Sequence, residues 1–194
     1  EVSIDWNTVA FNDNPWSSGD SGFGYGDGDD ATVIPNGSIS VFMRAKFTID
    51  DFDELASVWL HMDYDDAFVA YLNGVEIARA NIGQAGTVVA YDDVADIDHE
   101  AGIYSGGAPD AFDISAFIDL IQPGENVLAI QSHNVWTGSS DFTAIPFLTM
   151  GFSSNVDMNE PLSSYVELGS FFPHTNFKLS SSGETVYLSH VTEG

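Results

Sequence analysis

Residues 39–49 alternate with a period of two. Ile39, Val41, Met43, Ala45, Phe47 and Ile49 fall on one side of an extended chain, with Ser40, Arg44, Lys46 and Thr48 on the other. Such a period places every second side chain on one face of a strand and smears them around a helix, so the segment must be a strand with one apolar face. Residues 57–63 repeat the pattern, with Val58, Leu60 and Met62 set against Ser57, Trp59 and His61. Two further apolar runs, 68–72 and 75–79, flank Asn73-Gly74. That dipeptide suits a type I′ turn, whose two central residues need φ > 0, and it predicts a β-hairpin. A chain carrying these segments must stack one sheet on another to cover their apolar faces.

The remaining elements follow from turn chemistry. Residues 126–134 and 145–152 read as two more strands, joined by 135–142. Residues 113–121 predict one short helix, with Asp113 as N-cap, Phe117, Leu120 and Ile121 inward, and Pro123-Gly124 as the stop. Residues 83–110, rich in Gly and Asp, predict a long loop carrying Tyr91, His99 and Tyr104, and loops this long bind something or lack order. The expected fold is all-β, an antiparallel β-sandwich with one short helix. With 194 residues, 44% of them hydrophobic, the chain can bury one sizeable core. Residues 1–152 are expected to form the sandwich. Residues 153–194 turn to Ser, Asn and Pro and predict a linker and an appended β segment packing on it, with 185–189 as its strand.

Thirty acidic residues against four basic ones give a net charge of −26. Nucleic acid, anionic membranes and acidic polysaccharides would meet a repulsive field, which leaves neutral sugars, cations and basic partners. No apolar run approaches the ~20 residues of a membrane span. Self-repulsion of this size is relieved by salt and by bound calcium, so a secreted or cell-surface setting is expected. The chain has no cysteine, which excludes disulfides and thiolate metal sites. It begins at Glu1 with no signal-like segment, as expected for a piece of a larger multidomain protein.

Residues 22–30, Gly-Phe-Gly-Tyr-Gly-Asp-Gly-Asp-Asp, combine backbone freedom with clustered carboxylates. Calcium takes six to eight oxygens, commonly two or three carboxylates with carbonyls and water. Asp27, Asp29 and Asp30 are therefore expected calcium ligands, helped by Asp65, Asp66 or Asp141 from across the sandwich. The competing reading is a solvated turn whose Asp side chains bond their own backbone. Ala31 at the next ligand slot and the lack of Glu at the twelfth position exclude an EF-hand. Without a metal, Asp65 and Asp66 would hold the loop that crosses the hairpin, and Asp63 is expected to face solvent. Asp92, Asp93, Asp96, Asp98 and Glu100 read as a solvated charged face, with a second cation as the alternative.

Several motifs occur in a characteristic order: Trp6; Phe11-x-Asp13-x-x-Trp16; the run 22–30 followed by Ala-Thr; Asp65-Asp66 ahead of Val69-Ala-Tyr-Leu-Asn-Gly74; and Gly124-Glu-Asn-Val-Leu-Ala129. Together they resemble a galactose-binding-like jelly-roll module of the large secreted proteins of environmental bacteria, over about residues 1–152. The tail from Pro173 to Leu188 resembles part of a lamin-tail-like β module that accompanies such jelly rolls. The resemblance implies two antiparallel sheets, often a structural calcium, and a sugar site on loops or a concave face. Many such modules are non-catalytic carbohydrate-binding modules; others bind protein or act as spacers. Trp6 and Trp16 match framework positions and are expected in the core.

Sugar recognition needs an aromatic ring against a pyranose C–H face, flanked by groups that bind hydroxyls. Trp136, in the polar loop His133-Asn-Val-Trp-Thr-Gly-Ser-Ser-Asp141, is the first candidate, unless it caps the core. Tyr104 is second, with Tyr91, His99 and Asn134 as neighbours. Trp59 is expected on a concave face or beneath the tail, and His61 reads as structural. The histidines lack metal spacing, and no nucleophile elbow, P-loop or zinc motif occurs, so catalysis is not expected. The reading is a calcium-stabilised, non-catalytic module that binds a neutral polysaccharide or oligosaccharide such as a β-glucan. The alternative is a structural spacer or adhesion module that contacts another protein.

Overall fold

The computed structural model describes residues 3–49 and 55–152. The expected linker and appended segment at 153–194 lie outside the described residues. In chain order the strands are β1 (Phe23–Tyr25), β2 (Thr32–Val33), β3 (Ser40–Ile49), β4 (Leu55–Asp65), β5 (Ala67–Leu72), β6 (Val75–Ala80), β7 (Asp110–Asp113), β8 (Gly124–His133) and β9 (Phe142–Phe152). They form a five-stranded sheet, β2-β1-β9-β4-β7, and a four-stranded sheet, β3-β8-β5-β6. Every pairing is antiparallel except β1 with β2. The result is the all-β, jelly-roll-like sandwich expected from the alternating segments.

The core is built by the predicted faces. Met43 and Phe47 of β3, Val58, Leu60 and Met62 of β4, Phe68 and Leu72 of β5, Leu128 and Ile130 of β8, and Phe142 and Leu148 of β9 pack between the sheets. The hairpin turns at Asn73 and Gly74, with φ of 52° and 91°. Asn73 is more than a turn residue. Its side chain donates to the carbonyl of Leu120 (2.8 Å) and to Asn126 Oδ1 (2.8 Å), and accepts from the Val127 amide (2.8 Å).

Residues 113–121 do not form an α-helix. Asp110–Asp113 extends along β4, pairing Asp110 with Met62 and Asp113 with Trp59. Between Asp113 and Pro123, Ser115–Leu120 winds as a 3-10 segment. Six residues are too few for a stable α-helix, whereas short runs suit the 3-10 form. Asp113 does act at its start, accepting the Ser115 amide at 2.9 Å. β9 starts at Phe142, earlier than expected, because Phe142 and Ala144 are buried and pair with Tyr25 and Phe23.

Loops cover the outer face of the four-stranded sheet. Val89 and Ala95 of the 81–109 loop join Ala67, Val69 and Ile82 in a second apolar cluster. Gln131 Nε2 donates to the Val89 carbonyl (3.2 Å), and His133 Nδ1 lies 2.7 Å from the Asp93 carbonyl. Burial holds the His133 pKa down, so its ring is neutral and Nδ1 carries the proton. β8 is thus covered on both faces, and its residues 126–133 are all buried.

The 3–16 segment covers a further part of that face and corrects the expectation of a wet side for β3 at Arg44, whereas Thr48 is exposed and Lys46 partly so. Trp6 sits edge-on to Phe42 (4.9 Å) and Tyr71 (5.7 Å), and stacks with Trp16 (6.3 Å). Arg44 is buried beneath it, its side chain 1% exposed. The guanidinium pairs with Asp13, donates to the Thr8 carbonyl (2.7 Å) and lies over Phe11 at 5.1 Å. Removing Asp13 strands a buried cation. Asp13→Ala is expected to cost about 2 kcal/mol, less than for a fully buried pair because the Asp13 side chain is 32% exposed. Urea denaturation reads this directly, and an unchanged midpoint would show the pair to be dispensable.

Candidate functional site

The run 22–30 folds back on itself at β1. Gly24 pairs with Thr143 of β9, and a Cβ at Gly24 would lie 2.1 Å from both Asp30 Oδ1 and the Phe142 carbonyl oxygen. Gly26, at φ +111°, leaves room for the Ser140 carbonyl, which a Cβ would meet at 2.5 Å. Only glycine permits this close approach. The fold-back brings one carboxylate oxygen each from Asp27, Asp29 and Asp30 within 4.8 Å of one another.

These carboxylates are short of donors. Asp27 Oδ2 accepts from Thr143 Oγ1 at 2.9 Å. Asp27 Oδ1, both Asp29 oxygens and Asp30 Oδ1 are buried without a hydrogen-bond partner among the described residues. Asp29 meets only its own amide, outside hydrogen-bond geometry, and the Asp27 carboxylate. Burial, then the charges of Asp27 and Asp29, pushes Asp30 up to about 7. Burial and Asp27, with a smaller push from Asp63, raise Asp29 to about 6. Converging buried carboxylates without donors suit a hard cation, and the Phe142 carbonyl beside Asp30 is the kind of ligand calcium adds. The alternative of a self-bonded solvated turn does not account for oxygens that are buried and unpartnered.

Asp65 and Asp141 do not join that group. They come together with Glu100, each giving one oxygen within 4.8 Å of the others. Asp65 is 4% exposed, and burial, followed by the charges of Asp66, Asp141 and Glu100, pushes it up to about 8. Asp66 is occupied differently. Its two oxygens accept the amides of His99 (2.8 Å) and Val135 (2.7 Å), tying the 81–109 loop to the loop between β8 and β9. Asp63 corrects the expectation of a solvent-facing side chain: it is buried and accepts the amides of Gly102 (2.7 Å) and Ile103 (2.9 Å). Alternation gave no sign of this, because alternation assigns a face but not what covers it.

The aromatic candidates separate into open and committed groups. Trp136 is 60% exposed, its ring against Gly138, where a Cβ would meet Cζ3 at 2.5 Å. Tyr91 and Tyr104 are also exposed. Asn134 is fully buried: it donates to the Asp141 carbonyl (3.0 Å) and Tyr25 Oη (3.3 Å), and accepts the Trp136 amide (3.2 Å). His99 stacks parallel on Tyr64 at 4.0 Å, with Nδ1 at 2.9 Å from the Tyr64 carbonyl. Asn134 and His99 therefore position loops, while Trp136, Tyr91 and Tyr104 face solvent. Trp59 is partly exposed on the outer face of the five-stranded sheet, stacked with His61 at 6.5 Å.

No family model matches the chain, and no curated protein matches it. Among solved structures it is similar to part of a beta-glucuronidase from glycoside hydrolase family 2, at 16% identity and a TM-score of 0.41, over 69% of this chain and 12% of that one. It is also similar to part of the alpha-L-rhamnosidase of Dictyoglumus thermophilum, at 15% identity and 0.39, over 69% and 13%. A third is the Streptomyces avermitilis alpha-L-rhamnosidase, at 17% and 0.36, over 63% and 10%. The chain thus spans only a small part of each structure it matches. The sandwich rests on its own sheets and registers, and these likenesses add nothing to it.

Proposed function

We propose that the chain is a non-catalytic, calcium-stabilised module that binds a neutral polysaccharide, such as a β-glucan, on the exposed ring of Trp136. The supporting observation is a large indole held open to solvent: its backbone amide is fixed by Asn134 and its ring rests on Gly138. A rigid, exposed aromatic loses little entropy on stacking against a sugar. The net charge of −26 favours an uncharged ligand. Asp27, Asp29 and Asp30 hold the calcium, with a structural role. The module acts in a secreted or cell-surface protein, as one part of a longer chain.

Affinity-gel electrophoresis on a panel of neutral glucans tests this reading. Wild type is expected to be retarded, and Trp136→Ala to lose about 2 kcal/mol of binding, roughly a 30-fold weaker Kd, with unchanged melting. Failure of the wild type to be retained on any neutral glycan overturns it. One observation favours the protein-contacting alternative: the 81–109 loop exposes Val88, Tyr91, Val94 and Ile97. Apolar side chains gathered on one loop suit a protein partner.

A further inference from the structure

The dipeptide Asn-Gly occurs twice in the chain, at Asn36-Gly37 and at Asn73-Gly74. In both, glycine takes a positive φ, 79° and 91°. Such a pair is chemically labile. Asn is a thermolabile side chain, and a following glycine has no Cβ to shield its amide nitrogen or to restrict its approach to the Asn carboxamide. The fold treats the two pairs differently. Asn73 is clamped: its side chain donates to the Leu120 carbonyl and Asn126 Oδ1 and accepts the Val127 amide, each at 2.8 Å. Asn36 is exposed on the turn that leads into β3, and its side chain has no hydrogen-bond partner among the described residues. The Gly37 amide has none among them either. That turn is held one residue further on, where the Ser38 amide (3.3 Å) and hydroxyl (2.7 Å) both donate to the Pro35 carbonyl. The Gly37 nitrogen and the Asn36 carboxamide are therefore both uncommitted.

We propose that Asn36 is a modification site, converting without an enzyme to aspartate and isoaspartate and thereby displacing the loop that carries Trp136, while Asn73 is protected by its bonds. Solvent base takes the Gly37 amide proton, the nitrogen attacks Asn36 Cγ, and the Cγ–Nδ2 bond breaks as the amide nitrogen takes up a proton and leaves as ammonia. Water then opens the cyclic imide. Cleavage of the new N–Cγ bond gives aspartate; cleavage of the bond from nitrogen to the Asn36 main-chain carbonyl carbon gives isoaspartate, whose main chain runs through Cβ and Cγ. Overall one water is consumed and one ammonia released, with no change of oxidation state. Both products add a negative charge, and isoaspartate also lengthens the main chain by one carbon. The position gives this a consequence. A Cβ at Gly37 would lie 3.1 Å from the Thr137 carbonyl oxygen, and the Ile39 carbonyl accepts the Asn134 amide at 2.8 Å. Residues 36–39 thus run beside 134–137, so a longer, more acidic turn displaces the Trp136 loop. The loss of glycan binding that follows rests on the function proposed for Trp136; the conversion and the displacement do not.

Peptide mapping by mass spectrometry, on the full chain aged at pH 8, provides the test. The peptide holding Asn36 is expected to convert to a mixture of aspartate and isoaspartate forms. Conversion at Asn73 should be roughly 10-fold slower or more, because the hairpin must open locally before its side chain is released. In urea the two sites should convert at comparable rates. No conversion at Asn36, or equal rates at the two sites in the folded chain, overturns the proposal, and a difference that persists in urea overturns the protective role of the fold. Hydrogen exchange reads the displacement: aged wild type should exchange faster at residues 135–141 than fresh protein, and aged Asn36→Gln, which closes the corresponding ring far more slowly, should not. Unchanged exchange in aged wild type overturns the effect on the Trp136 loop. Affinity electrophoresis on neutral glucans separates this from the binding reading. Aged wild type should lose retention that aged Asn36→Gln keeps, and equal retention of the two overturns the effect on binding. If fresh wild type is retained on no glycan, the binding reading falls, and conversion at Asn36 with faster exchange still supports the modification site.

Discussion

Removing calcium at pH 8 is expected to lower the melting temperature by roughly 5–10 °C, and at pH 5 by much less. The size follows from mass action: a ligand at 100 times its Kd that binds only the folded state adds about 2.7 kcal/mol, and each kcal/mol moves a chain of this length by about 2–4 °C. The pH dependence follows from the carboxylates. In the cation-free fold Asp29 is raised to about 6, Asp30 to about 7 and Asp65 to about 8, above the ordinary value of 3.8. Between that value and these raised ones, the folded chain holds more protons than the unfolded chain. Its stability therefore falls as pH rises through 6, 7 and 8, and is recovered as pH drops toward 5.

Calcium reverses this trend by taking the place of the protons, so its benefit is largest where the carboxylates are ionised. Calorimetry of cation-free and calcium-saturated protein at pH 5, 6.5 and 8 gives the comparison. Asp30→Asn sharpens it. Losing a repelled, buried charge should raise the melting temperature of the cation-free chain at pH 8 while reducing the gain from calcium. Identical curves with and without calcium at pH 8, or a cation-free chain that gains stability as pH rises, would contradict the clamp.

Asn126→Ala is the second large effect, expected to cost about 3 kcal/mol. Asn126 is fully buried, and its amide makes a closed set of bonds. Oδ1 accepts from the Gln122 amide (2.9 Å) and Asn73 Nδ2 (2.8 Å); Nδ2 donates to the carbonyls of Gln122 (2.8 Å) and Gly124 (3.0 Å). Alanine strands backbone groups at the turn into β8 and loosens the link to the hairpin. Each stranded buried group costs about 1–3 kcal/mol, lowered where water can reach the turn. Thermal or urea unfolding measures it, and a loss below about 1 kcal/mol would show that water substitutes for the side chain.

Much of this architecture was legible because it is periodic or local. The faces of β3 and β4 follow from alternation, and Asn73-Gly74 marks the hairpin through the φ values it tolerates. Asp27, Asp29 and Asp30 are neighbours in the chain, so their convergence needs only the glycine fold-back around them. The short helix expected at 113–121 is present as the 3-10 segment Ser115–Leu120; its start is set by Asp113, which ends a strand paired with β4, a competition that local propensity does not register.

The same limit runs through the polar residues. Alternation puts Arg44 on the outer face of its sheet, and Asp63 and Asp65 on the outer face of theirs. All three are covered, Arg44 by the segment 3–16 and Asp63 by amides of the 81–109 loop. Glu100 looked like part of a solvated run, and only the path of that loop carries it to Asp65 and Asp141. The amino-acid order by itself determined which residues extend, which side of each strand is apolar, and where glycine lets carboxylates crowd together. Those are consequences of backbone geometry over a few residues. Tertiary structure alone decided which polar faces are covered and which distant acids meet, because that depends on where long loops land, and loop paths are set by contacts between residues far apart in the chain.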